Sequence, residues 1–211
     1  MIAGVVLAAG GASRFGSPKQ LADLDGLPLL QHALDAVHHV PVLDPVVVVL
    51  GAEAERVRAA ISLDRAAEPE RADASLCDEP PAPAARAVVC HDWASGMAAS
   101  LQCGVKAVGE CDWIVVVLGD QPRMTPQVIA AVVEHALTAP AGTTAVRPTY
   151  DGVPGHPVAL GRAMLPEIAR LSGDVGAREL LAGATVRTFE AAGLCDPADV
   201  DTPEELEALR T

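Results

Sequence analysis

Three stretches of this chain, Ile2–Leu7, Pro45–Leu50 and Trp113–Leu118, are almost unbroken runs of aliphatic, mostly β-branched residues. A strand with one wet face alternates apolar and polar side chains, so strands that do not alternate are covered on both faces. Between these runs the apolar spacing changes to that of amphipathic helices. Pro28–His39 carries Leu30, Ala33, Leu34 and Val37 on one face, and further helices are expected over about Glu53–Ile61, Met97–Val108 and Pro126–Leu137. A short strand is expected at Ala87–Cys90. Repeated strand–helix units with doubly covered strands predict an α/β fold on a mostly parallel, twisted sheet.

The composition limits what such a sheet can be used for. At 211 residues the chain suffices for one domain with a sizeable core. Half of it is apolar but only two Trp, one Tyr and two Phe are present, so the core must come from Val, Leu, Ile and Ala. A net charge of −13 lacks the basic face that a nucleic-acid partner needs, yet leaves room for a small anion held by a few cations in one cleft. The five cysteines are scattered and have no CxxC spacing, which argues against a disulfide framework or a zinc site. No basic segment leads into an apolar signal core, and no apolar run approaches the ~18 residues of a membrane helix. A cytoplasmic protein with no membrane partner is expected.

Two regions break the pattern. The segment 64–86 is rich in Ala, Pro, Glu, Asp and Arg, contains Pro80-Pro81-Ala82-Pro83, and reads as a mobile surface insertion. After Thr143 two short strands around Asp151-Gly152 are expected, then short helices, forming a subregion that covers one end of the sheet. His38-His39 reads as the solvated end of a helix.

Ligands in sheets of this kind bind beyond the carboxyl ends of the strands. The first such position is Leu7-Ala8-Ala9-Gly10-Gly11, followed by Arg14 and Lys19. Small residues let backbone N–H groups approach a ligand, and consecutive N–H groups form a concavity suited to anions. Arg14 and Lys19 add a bidentate fork and a mobile point charge, so the loop reads as a triphosphate cradle. It matches neither GxxxxGK[ST], because Gly16 is followed by Ser17-Pro18-Lys19, nor GxGxxG, because Gly10 and Gly11 are adjacent. A plain glycine-rich turn with two surface cations is the alternative.

Gly119-Asp120-Gln121-Pro122 follows another buried strand. Asp120 there is placed to hold Mg2+, a hard ion that takes carboxylate and phosphate oxygens together. A turn aspartate bonded to local amides is the alternative. Farther on, Thr202 and Pro203 read as an N-cap and first helical residue, with Glu205 completing a capping box. That motif leaves Asp199 and Asp201 unexplained, so Asp201 is a candidate second metal ligand, set against a simple helix-dipole role. Trp93–Ser100 opens a helix with small residues whose amides suit a nucleotide, unless Ser95 merely caps it. His156, fixed in Gly155-His156-Pro157, is either an acceptor contact or structural. Gly173–Arg178, with Asp174, reads as an acceptor-side loop.

Taken in order, Leu7–Lys19, Trp93–Ser100, Gly119–Pro122, Gly155–Pro157, Gly173–Arg178 and Asp201–Pro203 resemble the molybdenum cofactor cytidylyltransferases, a branch of the nucleotidyltransferases related to the molybdenum cofactor guanylyltransferases. The resemblance implies a single nucleotidyltransferase domain over residues 1–211 with a three-layer Rossmann-like fold and an acceptor-side subregion at about 143–190. It implies Mg2+-dependent transfer of CMP from CTP to the phosphate of a molybdopterin-type cofactor, releasing pyrophosphate, with a molybdenum enzyme as candidate recipient. Carried over by residue, it implies that Leu7, Ala8, Ala9, Gly10 and Gly11, with Arg14 and Lys19, hold the triphosphate. Gly96, Met97 and Ser100 would lie along the nucleotide, Asp120 and Asp201 would hold Mg2+, and His156 would face the acceptor. Arg14, Lys19 and Asp120 would be the catalytic groups.

Ala9 looks like the cytidylyl branch, where the guanylyl branch usually has glycine. Ala98 and Ala99 replace positions that are often polar in relatives, and the 64–86 insertion replaces a short connection. Two other classes remain open: a guanylyl- or other nucleotidyltransferase acting on a different phosphorylated small molecule, and a non-catalytic nucleotide- or cofactor-binding accessory protein.

Overall fold

The computed structural model describes residues 1–11, 15–64, 84–174 and 177–210. Arg14 and nearly all of the 64–86 insertion lie outside the described residues. The first strand, β1 (Ile2–Ala8), runs into the cradle loop, and a short turn at Lys19–Leu21 leads to a small hairpin, β2 (Asp23–Leu24) and β3 (Leu27–Pro28). Then come α1 (Leu29–His38), β4 (Leu43–Leu50), α2 (Ala54–Ala60), β5 (Arg86–Val89), α3 (Met97–Val108), β6 (Trp113–Leu118) and α4 (Pro126–Leu137). β1 and the elements from α1 to α4 fall within two residues of the sequence expectation at every boundary, whereas the β2–β3 hairpin was not expected.

The remainder is β7 (Ala145–Tyr150), β8 (Val153–Pro154), β9 (Val158–Gly161), α5 (Leu165–Ile168), α6 (Ala177–Ala182), β10 (Val186–Glu190) and α7 (Pro203–Leu209). The larger sheet has eight strands among the described residues, in the order β10-β7-β9-β6-β1-β4-β5, with β8 paired to β7. The pairs β1/β4, β1/β6, β4/β5 and β7/β10 are parallel, whereas β9 is antiparallel to both β6 and β7.

Here the expectation for the stretch after Thr143 is corrected. The hairpin around Asp151-Gly152 is present, but β7, β9 and β10 widen the sheet sideways instead of covering its end. The reason is pairing: β6 has an open edge, and β9 enters antiparallel to occupy it.

The valine strands are covered on both faces. Val6, Val48, Leu50, Val115 and Val117 pack with apolar residues of α1, α2 and α4. Val5, Val47, Val49, Ile114 and Val116 pack with those of α3, α5 and α6 on the other face. That is a three-layer arrangement, as two apolar faces on each central strand require. A third cluster joins Leu24 and Leu29 to Val200 and Leu206, and so folds the C-terminal segment back beside the start of the chain. His38 departs from expectation: it is only 3% exposed, whereas His39 is exposed and sets Nδ1 2.7 Å from the Asp35 carbonyl oxygen.

Among the described residues no helix is long and apolar enough to cross a membrane.

Candidate active site

The carboxyl ends of β1 and β6, with the start of α3, open onto a cavity of about 570 Å³. Leu7, Ala8, Ala9, Gly10, Gly11, Lys19, Gly96, Met97, Ser100, Asp120 and Asp174 all line it, so the sequence-predicted nucleotide residues within the described part converge on one space. Of its larger walls, Trp93 was read only as the start of the Trp93–Ser100 stretch with no role of its own, and Gln20 was passed over. Trp93 lies so close over the cradle that a Cβ on Gly11 would come within 2.9 Å of its ring.

Asp201 reaches the site indirectly. Thr202 caps α7 and accepts from the Glu205 N–H at 3.2 Å, while Glu205 Oε2 accepts from the N–H of Thr202 at 2.9 Å and of Asp201 at 2.7 Å. The expected capping box is therefore present, and it also fixes the backbone that carries Asp201. The Val200 N–H donates to the Asp120 carbonyl at 2.9 Å, joining this segment to the loop after β6. Buried Gln121 completes the join, its Nε2 donating to Pro197 O at 2.8 Å and to Asp199 Oδ1 at 2.7 Å.

Lys19 Nζ then sits between two carboxylates, 2.7 Å from Asp120 Oδ2 and 2.7 Å from Asp201 Oδ1. Burial alone would lower the lysine pKa, but the attraction and hydrogen bonds of Asp120 and Asp201 outweigh it and the net shift is upward. Lys19 is thus fully charged at neutral pH. Burial raises the Asp199 pKa, and the nearby Asp120 charge adds to the rise.

Asp120 and Asp201 fit a hard divalent cation. Asp120 Oδ1 is buried with no hydrogen-bond partner, an acceptor with spare capacity beside the cavity. Among the described residues no cluster of three or more metal-ligating side chains occurs, so an ion here would take its remaining ligands from phosphate oxygens and water. The ammonium of Lys19 takes part of that position, so a cation binding both acids must move it.

The start of α3 rules out the capping alternative. Ser95 does not cap the helix. Gly96 is the N-cap, at φ +112°, and the Ala98 N–H donates to the Gly173 carbonyl at 3.2 Å. A Cβ on Gly96 would lie 2.3 Å from the Gly173 backbone. One amide of this helix end is therefore taken by the loop that brings Asp174 to the cavity rim.

His156 stands just before β9. The antiparallel pairing of β9 with β6 ends at Val158 opposite Val116, and His156 lies two residues before Val158. It lines a second, smaller cavity that shares Leu7, Met97 and Leu118 with the first. Burial and the neighbouring Arg147 lower its pKa to about 4, against the opposing effects of a Val116 backbone bond and the Asp120 charge. The imidazole is neutral at pH 7 and brings no positive charge to an acceptor. Tyr150, which donates to the His156 carbonyl at 2.6 Å, holds this turn and was not expected from sequence.

Rv0371c from Mycobacterium tuberculosis H37Rv superposes with a TM-score of 0.79 at 32% identity, covering 99% of this chain and 97% of that one. A complex of Rv0371c with manganese superposes at 0.77 and 30% identity, with 99% and 97% covered. Nicotine blue oxidoreductase of Paenarthrobacter nicotinovorans is 32% identical over 216 residues, 99% of this chain and 96% of that protein. The family model for the MobA-like NTP transferase domain matches residues 4–189, and the chain belongs to that nucleotidyltransferase family.

Proposed function

We propose that this protein transfers CMP from CTP to the phosphate of a molybdopterin-type cofactor and releases pyrophosphate. The observation that carries the nucleotidyl-transfer reading is the Lys19 ammonium held between Asp120 and Asp201 beside the Leu7–Gly11 loop. An N–H-lined concavity, a mobile cation and two carboxylates are what a metal-bound triphosphate needs. The choice of CTP and of a molybdopterin-type acceptor rests on Ala9 and the order of the motifs. A guanylyl or other nucleotidyl transfer to a different phosphorylated small molecule uses the same groups.

In this reading the acceptor phosphate oxygen attacks the α-phosphorus in line. A bond forms from that oxygen to the α-phosphorus, the bond to the bridging oxygen breaks, and pyrophosphate leaves. No protein nucleophile is required. A divalent cation such as Mg2+, held by Asp120 and Asp201, would neutralise charge on the phosphoryl oxygens and the departing pyrophosphate. Lys19 exchanges its carboxylate partners for phosphate oxygens when the nucleotide enters. The Leu7–Gly11 backbone orients the triphosphate, with Arg14 as a second cation. Gly96, Met97 and Ser100 line the nucleotide, and His156 and Asp174 lie toward the acceptor.

The test is pyrophosphate release from each of four NTPs, with molybdopterin-type cofactor and with sugar phosphates as acceptors. Release from CTP with the molybdopterin acceptor is expected. Preference for GTP would overturn the cytidylyl part, and nucleotide binding without pyrophosphate from any acceptor would favour an accessory protein.

A second reading comes from the full-length similarity to nicotine blue oxidoreductase. It predicts redox turnover of nicotine blue, and an assay of the same preparation with that dye distinguishes the two.

A further inference from the structure

Gln20 follows Lys19 in the short turn after the cradle, and its side chain points inward, only 3% exposed. Its Nε2 donates to the Ala8 carbonyl at 2.8 Å and to the Gly10 carbonyl at 2.9 Å. Each of those oxygens belongs to a peptide unit whose N–H is that of the next residue, Ala9 or Gly11. In a planar trans peptide the C=O and N–H point in opposite directions. Drawing both oxygens toward Gln20 therefore turns the Ala9 and Gly11 N–H groups away from it. The Ala9 carbonyl is also taken, by the Ala52 N–H at 3.3 Å, which turns the Gly10 N–H away from Ala52.

Among the described residues, the amides of Ala9, Gly10 and Gly11 donate to no backbone carbonyl, and all three residues line the large cavity. Backbone donors set this way need an acceptor from elsewhere. The choice of glutamine is specific. One NH2 group carries two protons and meets two carbonyls, which a carboxylate cannot do. Gln20 Oε1 is left buried with no partner. Turning the amide over would set that oxygen against both carbonyls, so the side chain is used for its donors alone.

We propose that Gln20 is a positioning residue for phosphate binding: by holding the Ala8 and Gly10 carbonyls it aims the Ala9 and Gly11 amides at the oxygens of a polyphosphate. This rests on the nucleotide reading of the cavity. Gln20 acts through the loop and makes no contact of its own with the reacting atoms.

The experiment compares wild type, Gln20→Met and Gln20→Glu for binding of inorganic tripolyphosphate and of CTP by titration calorimetry, with amide hydrogen exchange followed over residues 7–11. Both variants are expected to lose roughly ten- to a hundredfold in affinity while remaining folded by circular dichroism. Exchange in the loop should quicken. Gln20→Glu should regain part of the loss as pH is lowered, because its protonated carboxyl can donate to one carbonyl. A folded Gln20→Met that binds tripolyphosphate within about twofold of wild type overturns the proposal.

Nuclear magnetic resonance of the wild type supplies a measurement that does not depend on the variants folding. On adding tripolyphosphate the Ala9 and Gly11 amide resonances should move and the Gln20 side-chain amide protons should stay slow to exchange. Unmoved Ala9 and Gly11 amides overturn the proposal. Tripolyphosphate binding with these shifts, but no pyrophosphate release from any NTP, upholds Gln20 and overturns only the transferase reading.

Discussion

Lys19 Nζ lies 2.7 Å from Asp120 Oδ2, an ion pair between residues 101 positions apart that joins the cradle loop after β1 to the loop after β6. The two strands are parallel neighbours, so their following loops emerge at the same end of the sheet. Asp201 closes the same ammonium from a third segment. The pairing makes Asp120 the most informative residue to remove. Asp120→Ala is expected to lower pyrophosphate release by about 10²–10³-fold, with an unchanged circular dichroism spectrum. Full turnover by that variant would overturn its assignment to the metal and phosphate chemistry.

Lys19 excludes a second cation from the acids as long as no nucleotide draws it away. Lys19→Met should therefore bind Mn2+ without nucleotide more tightly, by roughly tenfold, or about 1.4 kcal/mol, as read by electron paramagnetic resonance. Its turnover should fall even though its metal affinity rises. Equal Mn2+ affinity in the two proteins would show that Lys19 does not compete. The raised lysine pKa also sets an alkaline limit: the stabilisation is complete below the ordinary value of 10.5 and is lost as pH climbs through the higher folded value.

The His156 imidazole shows the opposite sign. Its folded value of about 4 lies below the ordinary 6.5, so protonation favours the unfolded chain. Its contribution is complete above 6.5 and is lost as pH falls toward 4, a change of at most about 3 kcal/mol. His156→Gln should flatten the decline of Tm across that window, as calorimetry at several pH values would show. A decline as steep as in wild type would mean that other groups titrate there.

Gly96→Ala tests the joint between α3 and the loop carrying Asp174. The positive φ costs about 1–3 kcal/mol for a residue with a Cβ, and the close approach to Gly173 adds to it. At this chain length each kcal/mol lowers Tm by about 2–4 °C. The displaced loop should also raise KM for the nucleotide. A variant with unchanged Tm and KM would show that the 173–174 loop moves aside freely.

How far each part could be read from the chain follows from how locally it is encoded. The runs Ile2–Leu7, Pro45–Leu50 and Trp113–Leu118 announce themselves because two covered faces leave no polar positions in them, whereas the first residues of β4, with exposed Asp44, carry no such signal. Thr202, Pro203 and Glu205 announced a capping box because it closes within four residues. By contrast β9 has only four residues, and β10 lies at the sheet edge with polar positions exposed, so neither has a strong pattern of its own. Gln20 and Gln121 were invisible for another reason: glutamine has no strong preference, and its role depends on which carbonyls and carboxylates happen to face it.

The sequence by itself determined that a doubly covered, mostly parallel sheet would form and that small residues with cations and acids would follow its strands. Burial of β-branched side chains on both faces enforces the first, and strand direction the second. Only the tertiary structure decided that Asp201 would share Lys19 with Asp120, that Gln20 would turn the cradle carbonyls inward, and that His156 would be neutral. Each depends on distances between segments far apart in the chain, which side-chain packing and long-range backbone bonds such as that from Val200 to Asp120 establish.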